Sequence, residues 1–234
     1  MDLTMYKRAQ LERRLASFLQ REGFSNAHAF IVALRQEPSL YRRFHTYLTI
    51  HVTDFFRDLP YWMHLKQIIA HHPQKQWSLW SAGCSWGAEP VTAALIFEDL
   101  ALPYHIKATD SDDIVLEQAR QGVYAEDSYQ KVPSNYRRFF RLHNDQWRLK
   151  PLTHGTISYL RHDLVHQPPP GTFDAVICRN LIIYFEPPAR SRALANLQLA
   201  LRPGGLLFLG ATETFLEYHE LGFSPLAPSI YQKD

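Results

Sequence analysis

Between Leu11 and Leu19 the apolar residues Leu11, Leu15, Phe18 and Leu19 fall at i, i+4, i+7 and i+8, the spacing of one face of an amphipathic helix. Lys7, Arg14 and Arg21 recur every seven residues and form a basic stripe beside that face. Further short helices are predicted over Asn26 to Arg35 and Ser39 to Leu48. After Pro73 the beat changes. Trp77 to Ala82 is a short apolar run that ends in Gly83-Cys84-Ser85-Trp86-Gly87, and a helical stretch follows from Glu89 to Asp99. The same unit recurs: a strand from His105 to Thr109 ends at Asp110 and precedes a helix from Asp112 to Gln121. A third strand, Ile157 to His162, ends at Asp163; a fourth, Phe173 to Cys178, ends at Arg179-Asn180. A helix from Pro188 to Leu201 then leads through a turn at Pro203-Gly204-Gly205 into Leu206 to Gly210. Strands alternating with helices predict a parallel, doubly wound sheet.

Two stretches depart from this beat. Residues 123–156 are rich in aromatic and basic side chains, among them Tyr136, Arg137, Arg138, Phe139, Phe140 and Trp147, where a plain unit needs only a short connection. They read as an inserted subdomain. Phe223 to Leu226 and Ser229 to Lys233, separated by Ala227-Pro228, read as a closing antiparallel hairpin. The expected organisation is a helical N-terminal subdomain over residues 1–60 and a main domain over 61–234, with its insert at about 123–156.

Composition narrows the class. At 46% hydrophobic and 21% charged residues the chain can bury a sizeable core. The polar start MDLTMYKRAQLERR is no secretory signal, and no run of 18 apolar residues occurs, so a cytoplasmic location without membrane insertion is expected. Cys84 and Cys178 lack metal-ligand spacing and are expected to be free buried thiols, with no metal site. The first sixty residues hold nine basic and six acidic side chains. That +3 excess is either a solvated face or a docking surface for an acidic partner.

In an open α/β sheet ligands bind beyond the carboxyl ends of the strands, and each unusual polar residue here falls at such an end. Gly83 and Gly87 let the backbone approach a ligand, but G-x-x-x-G is neither a dinucleotide fingerprint nor a phosphate loop. It permits a nucleoside without phosphates. Asp110 is placed to accept both ribose hydroxyls; Asp112 is the better placed to cap the next helix. Asp163 is placed either to accept from an adenine amino group or to cap a turn.

Three segments carry a resemblance. His51-Val-Thr-Asp-Phe-Phe-Arg57, Trp80-Ser-Ala-Gly-Cys-Ser-Trp-Gly-Ala-Glu-Pro90 and Cys178-Arg-Asn-Leu-Ile-Ile-Tyr-Phe185 resemble, in order and spacing, the motifs of the chemotaxis receptor methyltransferases, as does Ala108-Thr-Asp110. The similarity extends over nearly the whole chain. Trp86 and Ala88 depart from the family's Thr-Gly-Glu-Glu-Pro, and His51 stands where asparagine is more usual. The resemblance implies an α/β fold with a doubly wound, Rossmann-like class I methyltransferase sheet, the closing hairpin, the helical N-terminal subdomain and a small β-containing insert. It implies S-adenosylmethionine as cofactor, S-adenosylhomocysteine as product and glutamate side chains of a chemoreceptor cytoplasmic domain as methyl acceptors, with a monomeric enzyme and no nucleic-acid partner. The cofactor residues it implies are His51, Thr53, Arg57, Ala82, Gly83, Glu89, Asp110, Asp163, Leu164, Arg179 and Asn180, with Arg57 and Tyr184 beside the reacting groups. Phe55-Phe56 is expected in the core.

A glutamate carboxylate, with a pKa of about 4.3, is ionised at neutral pH and needs no general base to attack a methyl group. Alternative readings are a nucleic-acid methyltransferase, disfavoured because the fourth strand ends in Cys-Arg-Asn-Leu rather than Asn/Asp-Pro-Pro-aromatic, and a non-enzymatic module that binds the cofactor as a signal.

Overall fold

The structure is a computed structural model that describes residues 3–48, 53–72 and 76–234. Three helices come first: α1 (Arg8–Arg21), α2 (Ala27–Gln36) and α3 (Pro38–Leu48). They enclose a core of their own, in which Phe18, Phe30 and Leu40 are buried against Leu15, Leu19, Phe44 and Tyr47. Asn26 starts α2 by accepting the Ala29 N–H at 2.9 Å. Within the basic stripe, Arg14 donates to the Tyr47 carbonyl and both Arg14 and Arg21 lie over the Tyr47 ring. Those two side chains therefore brace α1 on α3.

A fourth helix, α4 (Leu59–His71), crosses the expected subdomain boundary at residue 60 and had no counterpart among the predicted elements. Its Trp62, Leu65 and Ile69 are buried on the main sheet's core. The main unit continues with β1 (Trp77–Ala82), α5 (Ala88–Leu100), β2 (Tyr104–Asp110) and α6 (Asp113–Gln121). The insert then contributes β3 (Val123–Tyr124), α7 (Glu126–Gln130), β4 (Phe140–His143) and β5 (Gln146–Leu149). After it come β6 (Gly155–Arg161), β7 (Phe173–Cys178), α8 (Pro187–Ala200), β8 (Leu201–Leu209), β9 (Phe223–Ala227) and β10 (Ile230–Lys233).

Seven strands form the main sheet in the order β6-β2-β1-β7-β8-β10-β9. All neighbours are parallel except β10, which runs antiparallel to β8 and β9 and closes the edge as a hairpin. The chain winds outward from β1 to one side and from β7 to the other, so the loops after β1 and β7 diverge and leave a crevice between them. Side-chain alternation splits the core into two layers. Leu79, Ile177 and Phe208 pack toward α4 and α5, while Trp80, Val176 and Leu207 pack toward α8. Helix α5 is buried from Ala88 to Glu98, because the insert covers its outer face.

Pro203-Gly204-Gly205 is not a free turn before the fifth parallel strand. Phe173 pairs with Leu201 and Ala175 with Leu206, so β8 bulges there. Gly204, at φ +75°, takes the left-handed conformation the bulge needs.

The insert folds as a small sheet, β3-β5-β4, whose aromatic residues serve the main unit. Tyr124 and Phe140 meet the ring of Phe55 edge-on at 4.9 and 5.6 Å, and Tyr136 stacks on Phe56 at 4.6 Å. Phe55 and Phe56 are buried, as expected. Buried Glu98 on α5 ties the far end of the insert by accepting the N–H groups of Thr153 and His154. No helix among the described residues is long and apolar enough to cross a membrane.

Candidate active site

At the crevice two cavities adjoin and share Tyr6, Gly83, Asp110, Ser111 and Leu181. The larger, about 790 Å³, is lined also by Thr53, Arg57, Glu89, Arg179, Asn180 and Tyr184. The smaller, about 560 Å³, is bordered by His162, Asp163, Leu164, Val165 and His166. Together they form a long cleft of mixed polarity at the place where such sheets bind small molecules.

The glycine loop is shaped by Asp110. The N–H groups of Gly83 and Cys84 both donate to the Thr109 carbonyl at 2.8 Å. Ser85, at φ +52°, donates its N–H to Asp110 Oδ2 at 2.8 Å, and Asp112 donates its N–H to Oδ1 at 3.1 Å. Asp110 thus fixes the loops after β1 and β2 to each other, and Asp112 is the cap of α6. Gly83 has φ +77°, and a Cβ there would lie 2.6 Å from Leu181 Cδ2. Trp86 turns away from the cleft and packs on Phe55 and Tyr124; Ala88 is buried in the first turn of α5.

Thr53 and Arg57 are presented by a short segment pinned at three points. Its Phe55-Phe56 pair is in the core, Phe56 N–H donates to Thr92 Oγ1, and Asp58 accepts from Arg179 Nη2 at 2.7 Å. Arg179 is fully buried, with Glu89 Oε1 3.7 Å from Nη1 and the rings of Trp62 and Phe208 against its guanidinium. A buried cation of this kind persists only when paired. Burial pushes the Glu89 carboxyl up to about 7, against the lowering pull of Arg179; Glu213 pushes the same way as burial.

The loop after β7 depends on a residue the sequence reading passed over. Glu213 accepts four backbone N–H groups: Leu181 and Ile182 on Oε1, Asn180 and Gly210 on Oε2. Burial raises its pKa even so, because those bonds offset desolvation only in part. The carboxylate holds Asn180 in the left-handed conformation, φ +55°, at the mouth of the cleft. An acid three residues beyond Gly210 at the end of β8 was the available signal. Tyr6, Ser85 and Ser111 also line the cleft without having been singled out.

Asp163 caps a turn: Oδ1 accepts the N–H groups of Val165 and His166, and Oδ2 lies 3.0 Å from His166 Nδ1. Burial raises its pKa, but those bonds outweigh it and the carboxyl sits below its ordinary value. Thr53, Arg57, Gly83, Glu89, Asp110, Arg179, Asn180 and Tyr184 line the larger cavity, and Asp163 and Leu164 the smaller. The Ala82 side chain is buried in the core beside β7 and lines neither. His51 lies outside the described residues. Four buried oxygens on this wall have no hydrogen-bond partner among the described residues: Thr53 Oγ1, Ser85 Oγ, Glu89 Oε2 and Asn180 Oδ1. Buried polar atoms are rarely left unpaired, and these are the acceptors a cationic, hydroxyl-bearing ligand requires.

The chain matches the family described as CheR methyltransferase, SAM binding domain, over residues 51–227, and CheR methyltransferase, all-alpha domain, over residues 1–49. It is 32% identical to a chemotaxis protein methyltransferase of Listeria innocua, over 100% of this chain and 92% of that one. It is 29% identical to a chemotaxis protein methyltransferase of Escherichia coli, over 98% of this chain and 84% of that one. A crevice at the strand switch with unpaired acceptors along its wall, in a chain matched from one domain to the other, makes this protein a member of the CheR methyltransferase family, with an S-adenosylmethionine-binding domain.

Proposed function

We propose that this chain transfers a methyl group from S-adenosylmethionine to glutamate side-chain carboxylates of a chemoreceptor cytoplasmic domain, giving methyl esters. The observation that carries the reading is the charge of the larger cavity: Arg14 and Arg57 line it together with Tyr184, alongside the acidic and amide acceptors of its inner wall. One cavity thus offers acceptors for a cationic cofactor and a positive rim for an anionic methyl acceptor.

The bound cofactor supplies an electrophilic methyl group on a sulfonium. The residues then divide the work of holding and excluding. Glu89 Oε2 and Asn180 Oδ1 are free to accept from the cofactor's ammonium group, and Thr53 and Arg57 flank the same end. Asp110 lines both cavities, where its carboxylate is placed to accept from the ribose hydroxyls. Asp163 and Leu164 border the adenine end. Gly83, lacking a Cβ, leaves the backbone open to approach. Arg57 orients the incoming carboxylate and Tyr184 confines the methyl region, so that the attacking oxygen and the leaving sulfur can be held in line. The carboxylate is already ionised, and a dry cleft would favour its reaction with a cationic methyl donor.

Incubation with methyl-labelled cofactor and a receptor cytoplasmic fragment, followed by alkali, tests this. Carboxyl methyl esters release volatile labelled methanol. Label that survives alkali would place the product among N-methyl groups, and no transfer at all would leave a cofactor-binding module; either result overturns the reading.

A further inference from the structure

The cofactor cleft is closed by a part of the chain far from every motif. Residues 3–5 form a short turn of helix, and the segment that follows pairs with the loop after β7: Lys7 N–H donates to the Tyr184 carbonyl at 2.9 Å and Glu186 N–H to the Met5 carbonyl at 2.8 Å. Tyr6 and Phe185 face each other in this antiparallel bridge, their rings edge to face at 5.3 Å. Between the two hydrogen bonds the Tyr6 side chain turns into the crevice. It lines both cavities, as do Gly83 and Asp110, at the waist where the two meet.

We propose that Tyr6 is a cofactor-binding residue: its ring closes the waist of the cleft over the nucleoside, held there by pairing of residues 5–7 with 184–186. This rests on the cofactor reading above. The ring offers a flat apolar face to a cofactor whose base and ribose must span the junction of the two cavities. Burial together with the nearby Asp163 and Asp110 carboxylates raises the phenol to about 12, so the hydroxyl keeps its proton at neutral pH and can donate. The same bridge carries the Tyr184 carbonyl, so the element that covers the nucleoside is hydrogen-bonded to the one that flanks the methyl acceptor. Cofactor entry and product release require this strap to part from residues 184–186, and Tyr6 retards both.

Titration calorimetry with S-adenosylhomocysteine on the full chain tests the assignment, using wild type, Tyr6→Phe, Tyr6→Ala and Leu3→Ala. Leu3 is exposed on the same segment and lines neither cavity. Loss of base stacking predicts that Tyr6→Ala weakens binding about tenfold or more and speeds ligand release in stopped-flow measurements. Tyr6→Phe keeps most of the affinity, and Leu3→Ala binds as wild type. Thermal melting without ligand, unchanged in Tyr6→Ala, separates lost contact from lost fold. Binding by Tyr6→Ala within twofold of wild type overturns the proposal, and so does an equal loss in Leu3→Ala, which would trace the effect to segment order. Wild-type protein that binds no S-adenosylhomocysteine would sink the cofactor reading and this proposal with it.

Discussion

Glu89 shows how one side chain is set against stability for the sake of a site. It sits in the first turn of α5, buried, with one oxygen facing Arg179 and the other without a partner among the described residues. Desolvation lifts its pKa from 4.5 to about 7. A carboxyl whose folded pKa is raised weakens the fold as pH climbs from the unfolded value through the folded one, because the unfolded chain ionises more easily. Over the window from about pH 4.5 to 7 that term reaches on the order of 3 kcal/mol. Glu89→Gln removes the titration. Ligand-free melting temperatures of the variant and wild type should therefore diverge in the variant's favour between pH 5 and pH 8. Cofactor binding should behave in the opposite sense: a cationic group on Oε2 favours the ionised form, so wild-type affinity rises from pH 6 to 8 with release of protons. Calorimetry in buffers of different ionisation enthalpy would detect this, and a flat wild-type affinity with no proton release would count against Glu89 as the acceptor.

Among the elements, the loop between β1 and α5 is the most constrained. Gly83→Ala puts a methyl group 2.6 Å from Leu181 Cδ2 at φ +77°, so Leu181 must shift or the backbone must strain. Overpacking of this kind costs about 1–3 kcal/mol. Because Leu181 borders both cavities, affinity for S-adenosylhomocysteine should fall further than the melting temperature alone would suggest; an alanine variant with lower melting temperature but unchanged affinity would show that Leu181 relaxes away from the ligand. The loop also marks what local pattern reveals. Strands β1 and β7 are legible residue for residue, since each is a short, mostly apolar run bounded by Gly83 or Arg179-Asn180. Helix α4 was not, because Leu-Pro-Tyr-Trp-Met-His-Leu mixes apolar and polar positions without a clean face, and its burial comes from packing on Phe208. Nor were Tyr6 and Glu213. A tyrosine near the start of the chain and an acid after β8 acquire their places only when residues 5–7 and 213 meet the loop after β7, contacts that span between 31 and 181 residues of sequence.

At the scale of the whole molecule the cleft belongs to two units at once. Its floor is the sheet, through Gly83, Asp110 and Asn180; its roof includes Gln10, Leu11 and Arg14 of α1 and Leu48 of α3. Leu11, placed by its spacing on the apolar face of α1, is absent from the small helical core and faces the cleft instead. The units also meet through the pairing of residues 5–7 with 184–186 and through His45, whose Nδ1 lies 3.4 Å from Asp112 Oδ2 at the cap of α6. Such an interface is expected to open and close unless a ligand bridges it. A ligand that binds only the native state at a hundredfold its Kd adds about 2.7 kcal/mol, and where that stabilisation is felt depends on which walls it touches. Hydrogen exchange with saturating S-adenosylhomocysteine should therefore slow amides in α1 together with those of residues 83–85 and 180–182. Protection confined to the sheet loops would mean that the helical roof stays open over the bound cofactor, leaving α1 free for another role.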